Sequence, residues 1–146
     1  MRDEAAKPLP DSLRRQAATQ QTMDRYRGRP FAWKAGHTCV HMVRFHLRSM
    51  GHKTPTLPRI GSALGARRAL EANDWPDVTA MLDSILPRIA PLEMRLGDIA
   101  AAEGLDGIGA LFVCIPPFKL LGWHEEAEGA VVIDFNRDAL IGAWRA

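Results

Sequence analysis

The stretch "FAWKAGHTCVHMVRFHLRSMGH", residues 31–52, contains four of the five histidines and one of the two cysteines of the chain. Its apolar residues recur every three or four positions, which predicts a helix from His37 or Thr38 to about Met50, ended by Gly51. One face of this helix collects the residues expected to be buried: Cys39, Met42, Val43, His46 and Met50. In its first turn, Cys39 is a nucleophile beside a base, a metal ligand among histidines, or a small buried residue.

Helices come first along the chain and strands follow. Residues 1–10 combine charges with two prolines and are expected to form a flexible arm, while residues 11–146 are expected to form one domain. The helical part covers residues 11–90 and the sheet part residues 91–146. In the sheet part, short apolar runs alternate with Gly, Pro or charged turns, which predicts three to five antiparallel strands. This order is typical of an α+β fold.

Local signals give the ends of the predicted elements. Helices are expected to be capped by Asp11 or Ser12, by Ser62 and by Asp74. The first of them has only a thin apolar stripe, so it should need packing on the domain or on a partner. The final run "NRDALIGAWRA", residues 136–146, has a helical or turn pattern.

The composition excludes several classes of protein. No apolar run is long enough to cross a bilayer, and the N-terminus lacks the apolar core of a signal peptide, so synthesis in a host cytoplasm is expected. The two cysteines lie 75 positions apart and imply no disulfide framework. No cofactor is expected.

The charges are distributed unevenly along the chain. Residues 1–68 carry 14 Lys/Arg and 4 Asp/Glu, whereas residues 69–146 carry 5 and 13. A basic half is compatible with nucleic acid, but its cations are not interleaved with the aromatic residues of a stacking platform. We favour an interpretation in which unlike charges complement each other within the fold or across an assembly.

Several short motifs carry a resemblance. They are "GRPFAWKAGHTCVHMVRFHLRSMG" (28–51), "RLGDIAAAEG" (95–104), "GALFVCI" (109–115) and the terminal "AWRA" (143–146). Together they resemble the NlpC-type papain-like cysteine peptidases, especially compact members encoded in tail gene clusters of long-tailed bacteriophages and gene transfer agents. The resemblance covers residues 28–146 and implies N-terminal helices packed on a small antiparallel sheet.

The resemblance also implies where catalytic residues would lie. In active members a cysteine thiolate at a helix N-terminus attacks an amide, and a histidine on a sheet strand takes the thiol proton. Carried over to this chain, the nucleophile is Cys39 and the base falls at Gly109 or Ala110, neither of which can accept a proton. We therefore expect an inactive site that lacks its catalytic histidine.

Two further family positions also differ in this chain. The polar residue that orients the histidine would fall near Phe118 or Lys119, where no His, Asn or Gln occurs. The acidic residue that commonly precedes the family cysteine is Thr38 here. His124 follows the third predicted strand, and a catalytic role for it as a substitute base stays open.

The histidines around Cys39 do not by themselves make a site. Residues two apart on a helix point roughly 200° apart, so neither His37 nor His41 faces the Cys39 sulfur. These two histidines do have the i, i+4 spacing of a helical zinc pair. The sequence offers no recognisable second pair, so no metal site is expected. Both Cys39 and Cys114 are then expected to be packing residues.

We therefore expect a structural component of a phage tail tip or baseplate, located in the virion tail. Its partners would be other tail proteins, such as a central hub or a distal-tail ring, or copies of itself. The alternative is a cysteine peptidase or amidase that cleaves peptidoglycan during DNA passage, with Cys39 as nucleophile. Peptidoglycan is a partner only in that alternative, a nucleic-acid partner is not favoured, and no membrane partner is expected.

Overall fold

The computed structural model describes residues 9–56, 59–104, 107–124 and 127–146. Within them, four α-helices are followed by six strands. The helices are α1 (Asp11–Tyr26), α2 (Cys39–Ser49), α3 (Ala63–Glu71) and α4 (Val78–Ile85). The strands are β1 (Arg88–Ile89), β2 (Ile99–Ala102), β3 (Ala110–Ile115), β4 (Lys119–Gly122), β5 (Val131–Asp134) and β6 (Leu140–Trp144). This arrangement confirms the predicted α+β class.

All six strands form one antiparallel sheet in the order β1-β6-β2-β3-β4-β5. The prediction of three to five strands was therefore too low, because "NRDALIGAWRA" contains β6 and not a helix. β6 pairs with β2, so that Ala100 lies opposite Ala143 and Ile99 opposite Trp144. Because Ile99 and Ala100 lie more than 40 positions before their β6 partners in the chain, no local sequence pattern predicts this strand.

The two faces of the sheet have different neighbours. The inner face packs against the helices and contributes Ile99, Ala101, Leu111, Val113, Leu121 and Trp144 to the main core. The outer face forms a smaller cluster of Ala100, Ala102, Phe112, Cys114 and Leu120, onto which Phe135 and Leu140 pack. The chain therefore crosses the outer face on its way from β5 to β6. Gly122 allows this second cluster, because a Cβ there would lie 2.5 Å from the Phe112 ring.

Helix α1 docks through buried polar residues as well as through part of its thin apolar stripe, of which Tyr26 is buried in the main core and Met23 packs against it. Leu13 is exposed, whereas Arg15, Thr19 and Thr22 are buried. Arg15 forms a 2.8 Å ion pair with Asp98, whose side chain is fully buried just before β2. A buried charge is tolerated where it is paired in this way, so α1 is fixed by partners that its own sequence does not reveal.

Two of the predicted helix caps are placed differently by the structure. Ser62 caps α3 as expected, through a 3.0 Å hydrogen bond from the Gly65 N–H. Asp74 does not cap α4; that role belongs to Asp77, which accepts a hydrogen bond from the Ala80 N–H. Pro10 precedes α1 without a side-chain cap, so neither Asp11 nor Ser12 caps that helix.

Residues 1–8 of the predicted arm lie outside the described residues, so the arm stays a prediction. Leu9 and Pro10, which belong to the same segment, are exposed. Among the helices that the structure describes, none is long and apolar enough to span a membrane.

Candidate functional site

Cys39 is the first residue of α2 and lines a cavity of about 380 Å³ between that helix and the sheet. Thr38 caps the helix, and its hydroxyl accepts a 3.3 Å hydrogen bond from the His41 N–H. Cys39 is only partly buried and packs against the main core. The thiol therefore sits where helix N–H groups would stabilise an anion, as the family mechanism requires.

The start of β3 determines what faces Cys39. Strand alternation turns Ala110 and Phe112 to the outer face and Leu111 to the inner face, and Leu111 lines the same cavity as Cys39. Gly109 has a φ of +105°, and a Cβ there would lie 2.8 Å from a methyl carbon of Val78. Both predicted base positions line this cavity, but Ala110 packs against the outer cluster and a Cβ at Gly109 would displace Val78. None of Gly109, Ala110 and Leu111 carries a group that can take a proton.

The next strand places an indole beside Leu111. Val113 lies opposite Leu121, so continuing the antiparallel register brings Trp123 opposite Leu111. Trp123 lines the cavity, and its Nε1–H donates a 2.7 Å hydrogen bond to the Arg29 carbonyl. An indole has no acceptor with which to orient an imidazole. Leu111 and Trp123 therefore provide no proton acceptor on this side of the cavity.

Phe118 and Lys119, where the orienting residue was expected, lie at the other end of β4. Lys119 pairs with Ile115, and Phe118 occupies the β3–β4 turn with a φ of +57°. Neither residue lines the cavity. The cavity-lining residues that sequence reasoning missed include Leu111 and Trp123. The sequence alone does not identify them, because which residues of β3 and β4 lie side by side depends on the pairing register of the two strands.

His124 also lines the cavity, but its ring is engaged on the outer face. It stacks on Phe112 with ring centroids 5.0 Å apart and contacts Phe135 at 5.9 Å. Its Nε2 lies 3.0 Å from the Leu120 carbonyl, to which it can only donate a proton. Cys39 belongs to the inner side of the sheet, so a role for His124 as base would require the ring to leave these contacts.

Three aromatic rings line the side of the cavity near the start of α2. Phe31 meets Trp33 and Trp123 edge-on, at centroid distances of 5.4 and 5.9 Å. Phe31 is exposed, while the two tryptophans are partly buried. Aromatic side chains with exposed edges beside a cavity are common where a protein binds a ligand or a peptide.

The remaining histidines of the opening stretch lie elsewhere. His37 and His41 line a separate groove and are absent from the Cys39 cavity. No group of three or more His, Cys, Asp or Glu close enough to hold a metal occurs among the described residues. His46 is fully buried, with Nδ1 2.8 Å from the Thr22 hydroxyl and Nε2 2.8 Å from the Gly97 carbonyl. Burial lowers the pKa of His46 to about 4.

The fold is similar to that of NlpC/p60 domains. The P60 domain of an antigen from M. avium paratuberculosis matches with a TM-score of 0.57 and 15% identity over 92% of this chain and 97% of that one. RipD from Mycobacterium tuberculosis, described as a non-catalytic NlpC/p60 domain protein adapted to peptidoglycan binding, matches with a TM-score of 0.57 and 13% identity. That match covers 94% of this chain and 98% of RipD.

The peptidoglycan hydrolase RipB from Mycobacterium tuberculosis gives a TM-score of 0.59 at 15% identity, over 94% of this chain and 68% of RipB. Within the fold class, the chain belongs to the family described as "Domain of unknown function (DUF6950)", which it matches over residues 12–146. Comparison with curated proteins gives no match.

Proposed function

We propose that this chain is a non-catalytic NlpC/p60-type domain that binds a partner and does not cleave it. The carrying observation is that Leu111 and Trp123, which line the cavity together with Cys39, provide no proton acceptor, and that His124, which also lines it, is held against Phe112 and the Leu120 carbonyl. General acid–base catalysis needs a proton acceptor within hydrogen-bond reach of the nucleophile. Neither an alkyl chain nor an indole provides one.

The proposed place of action is the tail tip or baseplate of a long-tailed phage. The motifs of residues 28–146 support this, because they resemble compact domains encoded in tail gene clusters. Partners would then be a central hub, a distal-tail ring or further copies of the chain. Mass spectrometry of purified tails should detect the chain in a fixed ratio to the hub protein, and its absence from intact particles would refute the assignment.

The ligand proposed for the cavity is peptidoglycan, held without cleavage. The support is the cavity itself, with its aromatic side, together with the binding described for RipD. Sedimentation with insoluble peptidoglycan should retain the wild-type chain and release no soluble fragments. Phe31→Ala at the cavity should weaken retention, whereas Phe118→Ala, an equally exposed ring in the β3–β4 turn, should not. Equal retention of both variants would exclude this cavity.

A second candidate is a cysteine peptidase or amidase that acts on peptidoglycan. It is favoured by the position of Cys39 at the α2 N-terminus and by the presence of His124 in the same cavity. It predicts release of peptide fragments from peptidoglycan, abolished by Cys39→Ala and by His124→Ala. It also predicts that iodoacetamide alkylates Cys39 at pH 6 far faster than a free thiol. The non-catalytic proposal predicts no fragments at any pH.

A further inference from the structure

A second surface, which adjoins the Cys39 cavity at Trp33 and Val40, gathers cations with no carboxylate among its described residues. One groove of about 440 Å³ is lined by Arg25, Arg44 and Arg48 together with His37 and His41. An adjoining groove of about 290 Å³ is lined by Lys34, Arg44 and Arg59. The two share Ala35, Gly36, His41 and Arg44, and no Asp or Glu of the described residues lines either of them. We call the pair of grooves the basic groove.

The cations of the basic groove are not neutralised within the fold. Among the described residues, none of Arg25, Lys34, Arg44, Arg48 and Arg59 takes part in an ion pair. α2 itself contains no acidic residue. Like charges held together without counter-charges repel each other, which raises the free energy of the folded chain. An anionic ligand would reduce this repulsion.

Several contacts hold the groove in shape before any ligand arrives. Ala32 and His37 exchange two 2.9 Å backbone hydrogen bonds and so close the loop that forms one wall. The Arg25 guanidinium lies 4.6 Å from the centre of the Phe45 ring, and Arg44 Nε donates to the Pro55 carbonyl. These contacts leave the terminal guanidinium nitrogens of Arg44 available. A preformed site loses less entropy when it binds.

His41 stands where the two grooves meet. Its Nδ1 is engaged by the Thr38 hydroxyl at 2.7 Å, which leaves Nε2 as the ring nitrogen that can contact a ligand. The pKa of His41 is lowered by burial, with a further contribution from Arg44 and His37. A bound anion would offset the repulsion from these neighbours, so the pKa of His41 should rise when the groove is occupied.

We propose that the basic groove binds a ligand carrying two or more phosphate groups. Four of its five cations are arginines, whose planar fork of N–H donors matches phosphate oxygens in pairs. The larger groove falls within the volume range of small-ligand sites. Since Arg44 is common to both grooves, two neighbouring phosphates can be held at once. This proposal is independent of the one made for the Cys39 cavity.

Isothermal titration of the full chain with pyrophosphate at low ionic strength tests the site. Arg44→Gln/Arg48→Gln should weaken binding by about tenfold or more. The control Arg68→Gln/Lys119→Gln removes the same charge from exposed positions outside the groove and should bind as wild type. Equal losses in both double variants would overturn the proposal. Circular dichroism verifies folding, and the exposed Arg48→Gln alone provides the test if the double variant unfolds.

A spectroscopic measurement and three competitors complete the experiment. The pKa of His41, followed by the NMR signal of its ring, should rise when pyrophosphate is added; an unchanged titration would overturn the assignment. A single-stranded oligonucleotide that displaces pyrophosphate supports the proposal and identifies a polymer as the source of the phosphates. A free nucleoside triphosphate that displaces it where the oligonucleotide does not supports a small ligand. Equal displacement by a poly-glutamate peptide of the same charge would refute the choice of phosphate.

Discussion

His46 joins three parts of the fold, and its burial makes the protein sensitive to mild acid. The ring connects α1, through Thr22, to the turn before β2, through the Gly97 carbonyl. Both contacts suit a neutral imidazole. The pKa of His46 falls from 6.5 to about 4 because burial penalises the charged form. The unfolded chain therefore binds a proton at a pH where the folded chain does not.

The size and pH range of the effect follow from that difference. Above pH 6.5 the imidazole is neutral in both states, and its contribution to stability is fully present. Between pH 6.5 and about 4 only the unfolded state is protonated, so the free energy of unfolding falls with decreasing pH. At 1.36 kcal/mol for each pKa unit, His46 alone should remove about 3 kcal/mol. Below about pH 4 both states are protonated and the loss stops.

Urea unfolding at a series of pH values from 7 to 4, followed by tryptophan fluorescence, measures this loss. His41 and His52 also have pKa values lowered by burial, so the wild-type curve contains their contributions too. The variant His46→Gln keeps His41 and His52 and removes only the titration of His46. The stability difference between wild type and variant should shrink by about 3 kcal/mol from pH 7 to pH 4. A difference that stays constant with pH would refute the reasoning.

Two further variants test the fold and the site. Asp98→Ala removes the buried carboxylate that pairs with Arg15 and leaves that guanidinium only the exposed Asp11 as a charge partner, so it should lower the free energy of unfolding by about 3–5 kcal/mol. The exposed Asp134→Ala should change it by less than about 0.5 kcal/mol in the same urea experiment. Leu111→His places an imidazole on the Cys39 side of β3 and should accelerate alkylation of that thiol at pH 6 by about tenfold or more. Phe112→His, on the opposite face, should leave the rate unchanged, and equal rates in both variants would contradict the strand assignment.

The parts of the fold with strong local signals were predictable from sequence. The spacing around Cys39 predicted α2 and its buried face, and Ser62 marked the start of α3. The four apolar runs between residues 94 and 135 correspond to β2–β5. In each case the residues that specify the element lie within it or next to it, so periodicity and capping chemistry are sufficient.

The parts that depend on distant partners were not predictable. Arg15 is charged and looks like a surface residue, yet it is buried against Asp98, 83 positions away. β6 is specified by its place beside β2 and by Trp144, whose Nε1–H donates to the Asp83 carboxylate of α4. The positions facing Cys39 required the β3–β4 register. A one-residue shift along a strand moves a side chain to the opposite face, so the sequence alone could not decide between Gly109 and Ala110 as the base position.

The position of β6 has a consequence for synthesis. β1 and β2 do not touch each other as neighbours; the strand between them is made after every other strand that the structure describes. A nascent chain therefore carries a gap in its sheet, with unpaired edges on both sides, until residues 140–144 have left the ribosome. Chains stalled before that point are expected to be substrates for chaperones and proteases, because open strand edges recruit other chains. Emergence of β6 from the ribosome, and not the folding of the helices, thus sets the earliest moment at which the sheet can close.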